Sequence, residues 1–269
     1  MHRLNLFSNY EQFNHLHAPK YFDWVKDGSG SINVFVDDYI RLSGNYLDLP
    51  KIAMLIEPRT IQPTIYQWVE DHNTDFDLIF SHDESILKFV NAYPIYFMQW
   101  YKTYDVPKTK PISMVCSDKV LCNEHRQRQR LADILGNKVD HYGMYRGGSY
   151  CDYYECRAEY MFEVVIDNNW SGYWLSEKLA NPLACKTVPI YLGGKYFPGD
   201  INTNGIIIAE NIKDIPSIID EILKNPYEEY DKRYESILAN FINIKANYQV
   251  FEDWFWLRYS YKLKELIDE

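Results

Sequence analysis

The sequence predicts an α/β fold in which parallel strands alternate with helices. Short apolar runs rich in β-branched residues, as at 31–36, 51–56 and 76–80, are separated by stretches with a helical spacing of apolar residues. Strands that alternate with helices form parallel sheets with helices on their faces. The alternation is interrupted at a candidate linker over 101–111 and then resumes. Two consecutive α/β units and a single doubly wound domain are both compatible with this order.

Composition and charge narrow the class of protein. The chain has 269 residues, of which 46% are apolar and 25% are charged, as in a globular protein with a substantial core. A formal net charge of −10 argues against nucleic-acid binding, although a nucleotide needs only one or two local cations. The sequence has no run of 18 apolar residues and no signal peptide, so we expect a cytoplasmic protein without a transmembrane anchor. The five cysteines lack paired C-x2-C spacing, which predicts reduced thiols rather than a zinc site.

In the first half, polar residues follow the predicted strands at the points where those strands end. Glu57 closes the strand 51–56 and precedes Pro58, which stops the strand and presents the carboxylate at a fixed place. Asp37 likewise comes directly after a strand, and Ser81-His82-Asp83 closes the strand 76–80. Strands are predicted at 4–7, 31–36, 51–56 and 76–80, and helices at 63–70 and 84–90.

The second half repeats the alternation and ends in an aromatic tail. Its predicted helix 125–135 carries three arginines, Arg126, Arg128 and Arg130. The tail at 248–266 indicates one or two helices. Strands are predicted at 112–116, 139–142, 162–166, 188–192 and 205–209, and a further helix at 215–223.

The stretch 162–194 predicts a strand, a loop, a helix and a second strand, which is the length that a parallel crossover needs. Ser176 is a suitable N-cap for the helix. The loop places Asn168, Glu177 and Lys178 near the carboxyl end of a strand and the start of a helix. Ligands bind in that crevice in open parallel sheets, and a helix N-terminus favours an anion. Lys178 adds a full positive charge there.

The same stretch resembles the nucleotide-binding signature of the α1,3-fucosyltransferases of glycosyltransferase family 10. The matching segments are Phe162…Asp167-Asn168, Trp174-Leu-Ser-Glu-Lys-Leu179 and Val188-Pro-Ile-Tyr-Leu-Gly193. The similarity extends upstream to 112–117, 128–135 and 139–143. The resemblance implies a GT-B fold of two facing Rossmann-like domains. It implies an acceptor-side domain at 1–106, a nucleotide-sugar-binding domain at 107–247 and a C-terminal helix at 248–269, which could pack back on the first domain.

The resemblance also implies an inverting transfer of L-fucose from GDP-fucose to a hydroxyl of a glycan acceptor. In that scheme Arg128 and Lys178 bind the pyrophosphate, because cationic side chains offset the charge of the leaving group. Asn168 and Glu177 bind the ribose or the transferred sugar, and Trp174 and Ser176 belong to the same donor motif. Glu57 falls where the family has its general base, although the glycine and asparagine that flank the family's glutamate are missing here.

Several features depart from the family pattern and leave alternatives open. Asp167 stands where the family has glutamate, Trp174 where it usually has tyrosine, and Pro182 lies inside the predicted helix, which it should kink or split. A different sugar nucleotide, or a catalytically inactive carbohydrate-binding protein on the same fold, therefore remains an alternative. Asp37-Asp38 lacks the spacer of a D-x-D metal site, and the resemblance implies that no metal or cofactor is required beyond the donor substrate.

Overall fold

A computed structural model describes residues 2–9, 18–100, 102–147, 151–152, 154–170 and 172–268. The chain divides into two compact units. Unit 1 comprises Met1–Phe97, Gly172–Trp174 and Asn247–Glu269, and unit 2 comprises Met98–Ser171 and Leu175–Ala246. Each unit contains one sheet of parallel strands, so the predicted parallel α/β architecture is confirmed. No described helix is both long enough and apolar enough to cross a membrane.

The regular elements are as follows in chain order. The strands are β1 His2–Phe7, β2 Phe22–Val25, β3 Asn33–Val36, β4 Lys51–Met54, β5 Leu78–Ser81, β6 Ala92–Pro94, β7 Lys110–Val115, β8 Asp140–Tyr142, β9 Tyr160–Ile166, β10 Val188–Leu192 and β11 Ile207–Ile208. The α-helices are α1 Pro63–Asp71, α2 Asn123–Leu135, α3 Glu177–Leu183, α4 Ile215–Lys224, α5 Pro226–Asp231, α6 Tyr234–Asn247 and α7 Phe251–Asp268.

The sheet of unit 1 has six parallel strands in the order β2-β1-β3-β4-β5-β6. Helix α1 begins at Pro63, where the fixed φ of proline suits a first helical turn and its missing N–H costs nothing. The helix buries Ile65, Tyr66 and Val69 in a core that also contains Phe35 of β3. In α7, the rings of Phe255 and Tyr259 each lie 4.8 Å from that of Phe80, between centroids.

Three sequence predictions for unit 1 are corrected by the structure. The helix predicted at 84–90 is a single 3-10 turn, Ile86–Lys88. The strand predicted at 51–56 ends at Met54, so Glu57 lies three residues beyond β4. Strands β2 and β6 were not predicted, and β6 has only three residues and ends at a proline.

The sheet of unit 2 has five parallel strands in the order β11-β10-β9-β7-β8. Strand β9 is buried along its whole length, and Phe162 pairs with Val188 in β10, as the 162–194 crossover predicts. The strand order changes direction between β7 and β9, which makes the carboxyl ends of these strands a topological switch point. In the predicted linker, residues 102–109 form neither helix nor strand, and Tyr101 lies outside the described residues.

Candidate functional site

Arg128 and Asn168 meet at the switch point of unit 2. Helix α2 follows β7 and turns Arg128 inward, while Arg126 and Arg130 are exposed on the same helix. The Nη1 of Arg128 donates to the carbonyl oxygen of Ile166 at 3.1 Å, and its Nη2 donates to Oδ1 of Asn168 at 3.3 Å. Within the described parts of the chain, its buried Nε has no hydrogen-bond acceptor. The guanidinium therefore lies at the carboxyl end of β9, among the backbone groups that end the strand.

Ser176 caps α3, as predicted, and is held by Asp167. The hydroxyl of Ser176 accepts the N–H of Lys178 at 3.2 Å and donates to the Asp167 carboxylate, whose oxygens lie 2.9 and 3.0 Å away. Asp167 is fully buried and also accepts the hydroxyl of Tyr191 at 3.2 Å. Because this hydroxyl bonds both the carboxylate and the helix, Ser176 fixes the start of α3 relative to the end of β9.

Lys178 carries its positive charge at the same edge of the sheet. Its Nζ lies 3.1 Å from Oε1 of Glu177 and 3.6 Å from Oδ1 of Asp167, and its side chain is 27% exposed. Burial lowers the pKa of Lys178, but the charges of Glu177 and Asp167 outweigh this effect, so its pKa is raised overall. Lys178 is therefore an ammonium group that solvent can reach.

The helix that bears Lys178 is short. Pro182 cannot donate a backbone hydrogen bond, yet it lies inside α3, which continues through it and ends one residue later, at Leu183. The structure therefore shows a short helix and not the kinked or split helix that the sequence predicted. With seven residues in α3, the macrodipole is small. The side-chain charges of Lys178 and Arg128 therefore dominate the electrostatics here, rather than the helix terminus that the sequence indicated.

His125 belongs to the same group, although the sequence interpretation did not include it. Its Nδ1 accepts the N–H of Leu121 at 3.1 Å, which leaves the proton on Nε2. Burial lowers the pKa of His125 to about 4, helped by the positive charges of Arg128 and Lys178, while an interaction with the Asn168 side chain opposes the shift. The spacing i, i+3 between His125 and Arg128 places both on one face of α2, and that spacing was visible in the sequence.

Gly193 and Tyr191 complete the support of Asp167 and were also missed. A Cβ at Gly193 would lie 2.1 Å from the hydroxyl of Tyr191 and 2.9 Å from Cβ of Asp167, so a larger residue does not fit. The hydroxyl of Tyr191 accepts the N–H of Gly194 at 3.0 Å and donates to Asp167. The glycine pair after β10 is the signal that could have revealed this close approach.

In unit 1, the main chain at Glu57 is held from two directions. Asp37, directly after β3, accepts the N–H of Ile56 at 2.8 Å and that of Glu57 at 3.2 Å. The hydroxyl of Tyr66 donates to the carbonyl oxygen of Glu57 at 2.7 Å. Burial raises the pKa of Tyr66 well above its ordinary value, so this hydroxyl keeps its proton. Glu57 itself is half-buried beyond the carboxyl end of β4.

His82 extends this network. Its Nε2 lies 2.9 Å from the hydroxyl of Tyr66, and because that hydroxyl donates to Glu57, the imidazole is the donor. Burial lowers the pKa of His82 to about 4. The ring of Trp174 packs edge-on against His82 at 4.4 Å between centroids, and the N–H of Tyr173 donates to the His82 carbonyl at 3.0 Å. Trp174, predicted to bind the donor, is thus part of unit 1 and contacts His82.

Asp83, which follows β5, is engaged by Arg59. The Nε and Nη2 of Arg59 donate to the two oxygens of Asp83, both at 2.9 Å, and Nη2 also donates to Glu70 at 2.7 Å. Burial raises the pKa of Asp83, but the hydrogen bonds and charge of Arg59 more than compensate, so the pKa is lowered. A carboxylate held in a bidentate ion pair is a poor proton acceptor, so Asp83 is a weak candidate for a general base.

Within the described ranges, no three side chains of His, Cys, Asp or Glu converge in the way a metal site requires. Asp37 directs its carboxylate at two backbone N–H groups, and Asp38 is exposed.

No model of a known protein family matches the chain, and no curated protein matches it. Among solved structures, an α1,3-fucosyltransferase with GDP is 14% identical and matches with a TM-score of 0.51, over 86% of this chain and 83% of that chain. A second crystal structure of an α1,3-fucosyltransferase gives 14% identity and a TM-score of 0.52, over 86% and 82% of the two chains.

The S. aureus protein TarM, in a complex that includes UDP, is 13% identical and matches with a TM-score of 0.59. The match covers 88% of this chain and 55% of TarM, so this chain spans about half of TarM's length. At these identities the likeness shows the fold, and membership of the fucosyltransferase family stays a prediction. The chain has the two-sheet α/β fold of GT-B glycosyltransferases.

Proposed function

We propose that this protein is an inverting glycosyltransferase that moves L-fucose from GDP-fucose to a hydroxyl group of a glycan. The observation that carries the proposal is the cationic group at the switch point of unit 2. Arg128 and Lys178 bring two positive charges to the carboxyl edge of the sheet, with neutral His125 beside them. A pyrophosphate is the common biological ligand that matches two fixed cations at such an edge.

The reaction assigns a role to five of the predicted residues. The acceptor oxygen attacks the anomeric carbon, the bond from that carbon to the phosphate oxygen breaks, and GDP leaves with the bonding electrons. Arg128 and Lys178 stabilise the charge that develops on the diphosphate. Glu57 takes the proton of the acceptor hydroxyl. Asn168 and Glu177 bind the ribose or the transferred sugar by hydrogen bonds.

The alternative is a donor that carries a different nucleotide, and the structural similarity to TarM supports it. TarM was solved in complex with UDP and has a higher TM-score, 0.59, than the fucosyltransferase solved with GDP, 0.51. Both proteins have the GT-B fold, so the backbone alone does not discriminate guanine from uracil. The motif resemblance at 162–194 supports GDP-fucose over the uridine donors.

Ligand binding followed by turnover tests the proposal. We expect GDP to raise the melting temperature and to bind by calorimetry, whereas UDP, ADP and CMP should have weaker effects. GDP-fucose should then release GDP faster when glycan acceptors are added, and NMR of the product should show inversion at the anomeric carbon. Arg128→Ala should lose the GDP response, while the exposed Arg130→Ala on the same helix should keep it.

Each other outcome points to a specific alternative. A response to UDP alone would identify a uridine-linked donor. Binding of GDP without transfer to any acceptor would indicate an inactive relative of the enzymes. Binding of glycans with no response to any nucleotide would overturn the proposal in favour of a carbohydrate-binding protein.

A further inference from the structure

We propose that Asp37 is a positioning residue that fixes Glu57 for proton transfer, an inference that rests on the proposed function. Asp37 does not touch the reacting groups in this scheme. It acts on the main chain of Glu57. The backbone of Asp37 is strained, and its buried carboxylate, which follows β3, accepts hydrogen bonds from the segment that follows the neighbouring strand β4.

The conformation of Asp37 indicates that the surrounding structure holds it. Its φ is +48°, in the left-handed region that side chains other than glycine rarely adopt, although Asp and Asn tolerate it best. The residue is also 1% exposed. Strained conformations of this kind persist where several contacts determine them together, and they cluster at functional sites.

The carboxylate of Asp37 continues the hydrogen bonding where the sheet stops. The N–H of Leu55 still pairs with the carbonyl oxygen of Phe80 on β5, at 2.9 Å. The next two N–H groups, of Ile56 and Glu57, turn to Asp37 instead. Hydrogen bonds to an ionised acceptor are about twice as strong as those between neutral groups. Asp37 therefore ends β4 at a defined place and directs the chain at Glu57.

The carbonyl group of Glu57 is fixed independently of its N–H group. Tyr66 on α1 donates to the Glu57 carbonyl oxygen, and His82 after β5 donates to the Tyr66 hydroxyl. Asp37, which follows β3, thus holds the N–H of Glu57, and Tyr66 on α1, supported by His82 after β5, holds its C=O. Fixing the main chain on both sides limits where the Glu57 side chain can reach, which is what a general base requires.

The contrast with Asp38 supports this assignment. The two carboxylates are adjacent in the sequence, yet Asp38 is exposed and Asp37 is buried with its oxygens on the Glu57 segment. Asp38 is therefore a matched control, since the same substitution at 38 changes the charge of the protein equally without touching the segment.

Steady-state kinetics on Asp37→Asn, Tyr66→Phe and Asp38→Asn test the inference. Asparagine tolerates a positive φ and keeps one acceptor oxygen, and phenylalanine keeps the volume of Tyr66, so both variants should fold. We expect kcat to fall about 10- to 100-fold in Asp37→Asn, the scale of a small misplacement of a catalytic group, with less effect in Tyr66→Phe. KM for GDP-fucose and the affinity for GDP should stay unchanged, and Asp38→Asn should match the parent.

A double-mutant cycle separates this inference from the proposed function. If Asp37 acts through Glu57, Asp37→Asn should cost nothing further in a Glu57→Gln background. If Asp37→Asn lowers kcat by the same factor in the Glu57→Gln background as in the parent, the inference is overturned, while Glu57 remains the base. A parent-like kcat in both Asp37→Asn and Tyr66→Phe would also overturn it. Full activity of Glu57→Gln would instead reject Glu57 as the base, and with it the reason for positioning it.

Discussion

The two units differ in the cationic and acidic side chains that they present at the carboxyl edges of their sheets. In unit 1 the carboxyl edge carries Asp37, Glu57 and Asp83, and the guanidinium of Arg59 is engaged by Asp83 and Glu70. In unit 2 the carboxyl edge carries Arg128 and Lys178, and the buried Asp167 is engaged by Ser176 and Tyr191. A parallel sheet determines where a site forms, whereas the residues just after each strand determine its charge and hence its chemistry.

Two histidines show the same contrast in detail. His82 in unit 1 and His125 in unit 2 both have a pKa lowered to about 4. For His82 the cause is burial, opposed by the negative charge of Asp83. For His125 the cause is burial together with the positive charges of Arg128 and Lys178. Equal pKa values therefore arise in oppositely charged surroundings, and an anionic ligand should affect them differently.

The largest expected effect tests the acidic edge. Glu57→Gln keeps the size and the hydrogen-bonding shape of the side chain but cannot take the acceptor's proton. Because loss of a general base costs about 10²–10⁴ in rate, kcat should fall by that factor, while calorimetry should show unchanged affinity for GDP-fucose. The exposed Glu84→Gln, after β5 at the same edge, should behave as the parent. Lost nucleotide affinity in Glu57→Gln would mean that Glu57 serves donor binding instead.

The next effect tests the cationic edge. Lys178→Ala removes an ammonium proposed to bind the pyrophosphate by charge-assisted hydrogen bonds, so GDP binding should weaken by about 1.5–3 kcal/mol. The fold should remain intact, because Ser176 rather than the Lys178 side chain caps α3. Lys213→Ala, an exposed lysine of the same unit, is the control. Unchanged GDP affinity in Lys178→Ala would mean that the 174–179 motif only begins helix α3 and does not bind a ligand.

The sequence predicted the elements of unit 2 that depend on local pattern. The strands at 162–166 and 188–192 and the Ser176 cap follow from apolar runs and N-cap chemistry. These features depend on residues close together in the sequence, so a linear pattern is sufficient to find them.

The contacts that hold Glu57 could not be found in this way. Asp37 bonds residues 19 and 20 positions away, and it does so because β3 and β4 are neighbours in the sheet. Tyr66 on α1 is fully buried and carries the hydroxyl that reaches the Glu57 carbonyl oxygen. Trp174 packs on His82 although their positions differ by 92. Each of these contacts depends on strand order, which the sequence does not specify.

A smaller effect compares the two histidines directly. Binding of GDP brings negative charge beside Arg128 and Lys178 and favours the imidazolium form of His125, so its pKa should rise by about one unit from about 4. The pKa of His82 should stay near 4, because burial sets it. NMR titration of the imidazole protons with and without GDP measures both values. Because GDP binding raises the pKa of His125, GDP should bind more tightly as the pH falls through that raised pKa. Equal shifts at both histidines would contradict a charge effect confined to unit 2.

The smallest expected effect concerns divalent metal ions. Two side-chain cations, Arg128 and Lys178, are proposed to offset the charge on the leaving diphosphate, so chelation by EDTA should change kcat by less than about twofold. Asp37 is a poor candidate for a metal ligand, because its carboxylate is buried and accepts the N–H groups of Ile56 and Glu57. Turnover measured in EDTA and then with added Mg²⁺ or Mn²⁺ gives the comparison. Strict dependence on either ion would mean that a metal ion, and not the side chains of unit 2, offsets the charge of the diphosphate. In that case Lys178→Ala should lower kcat only slightly in the metal-loaded enzyme.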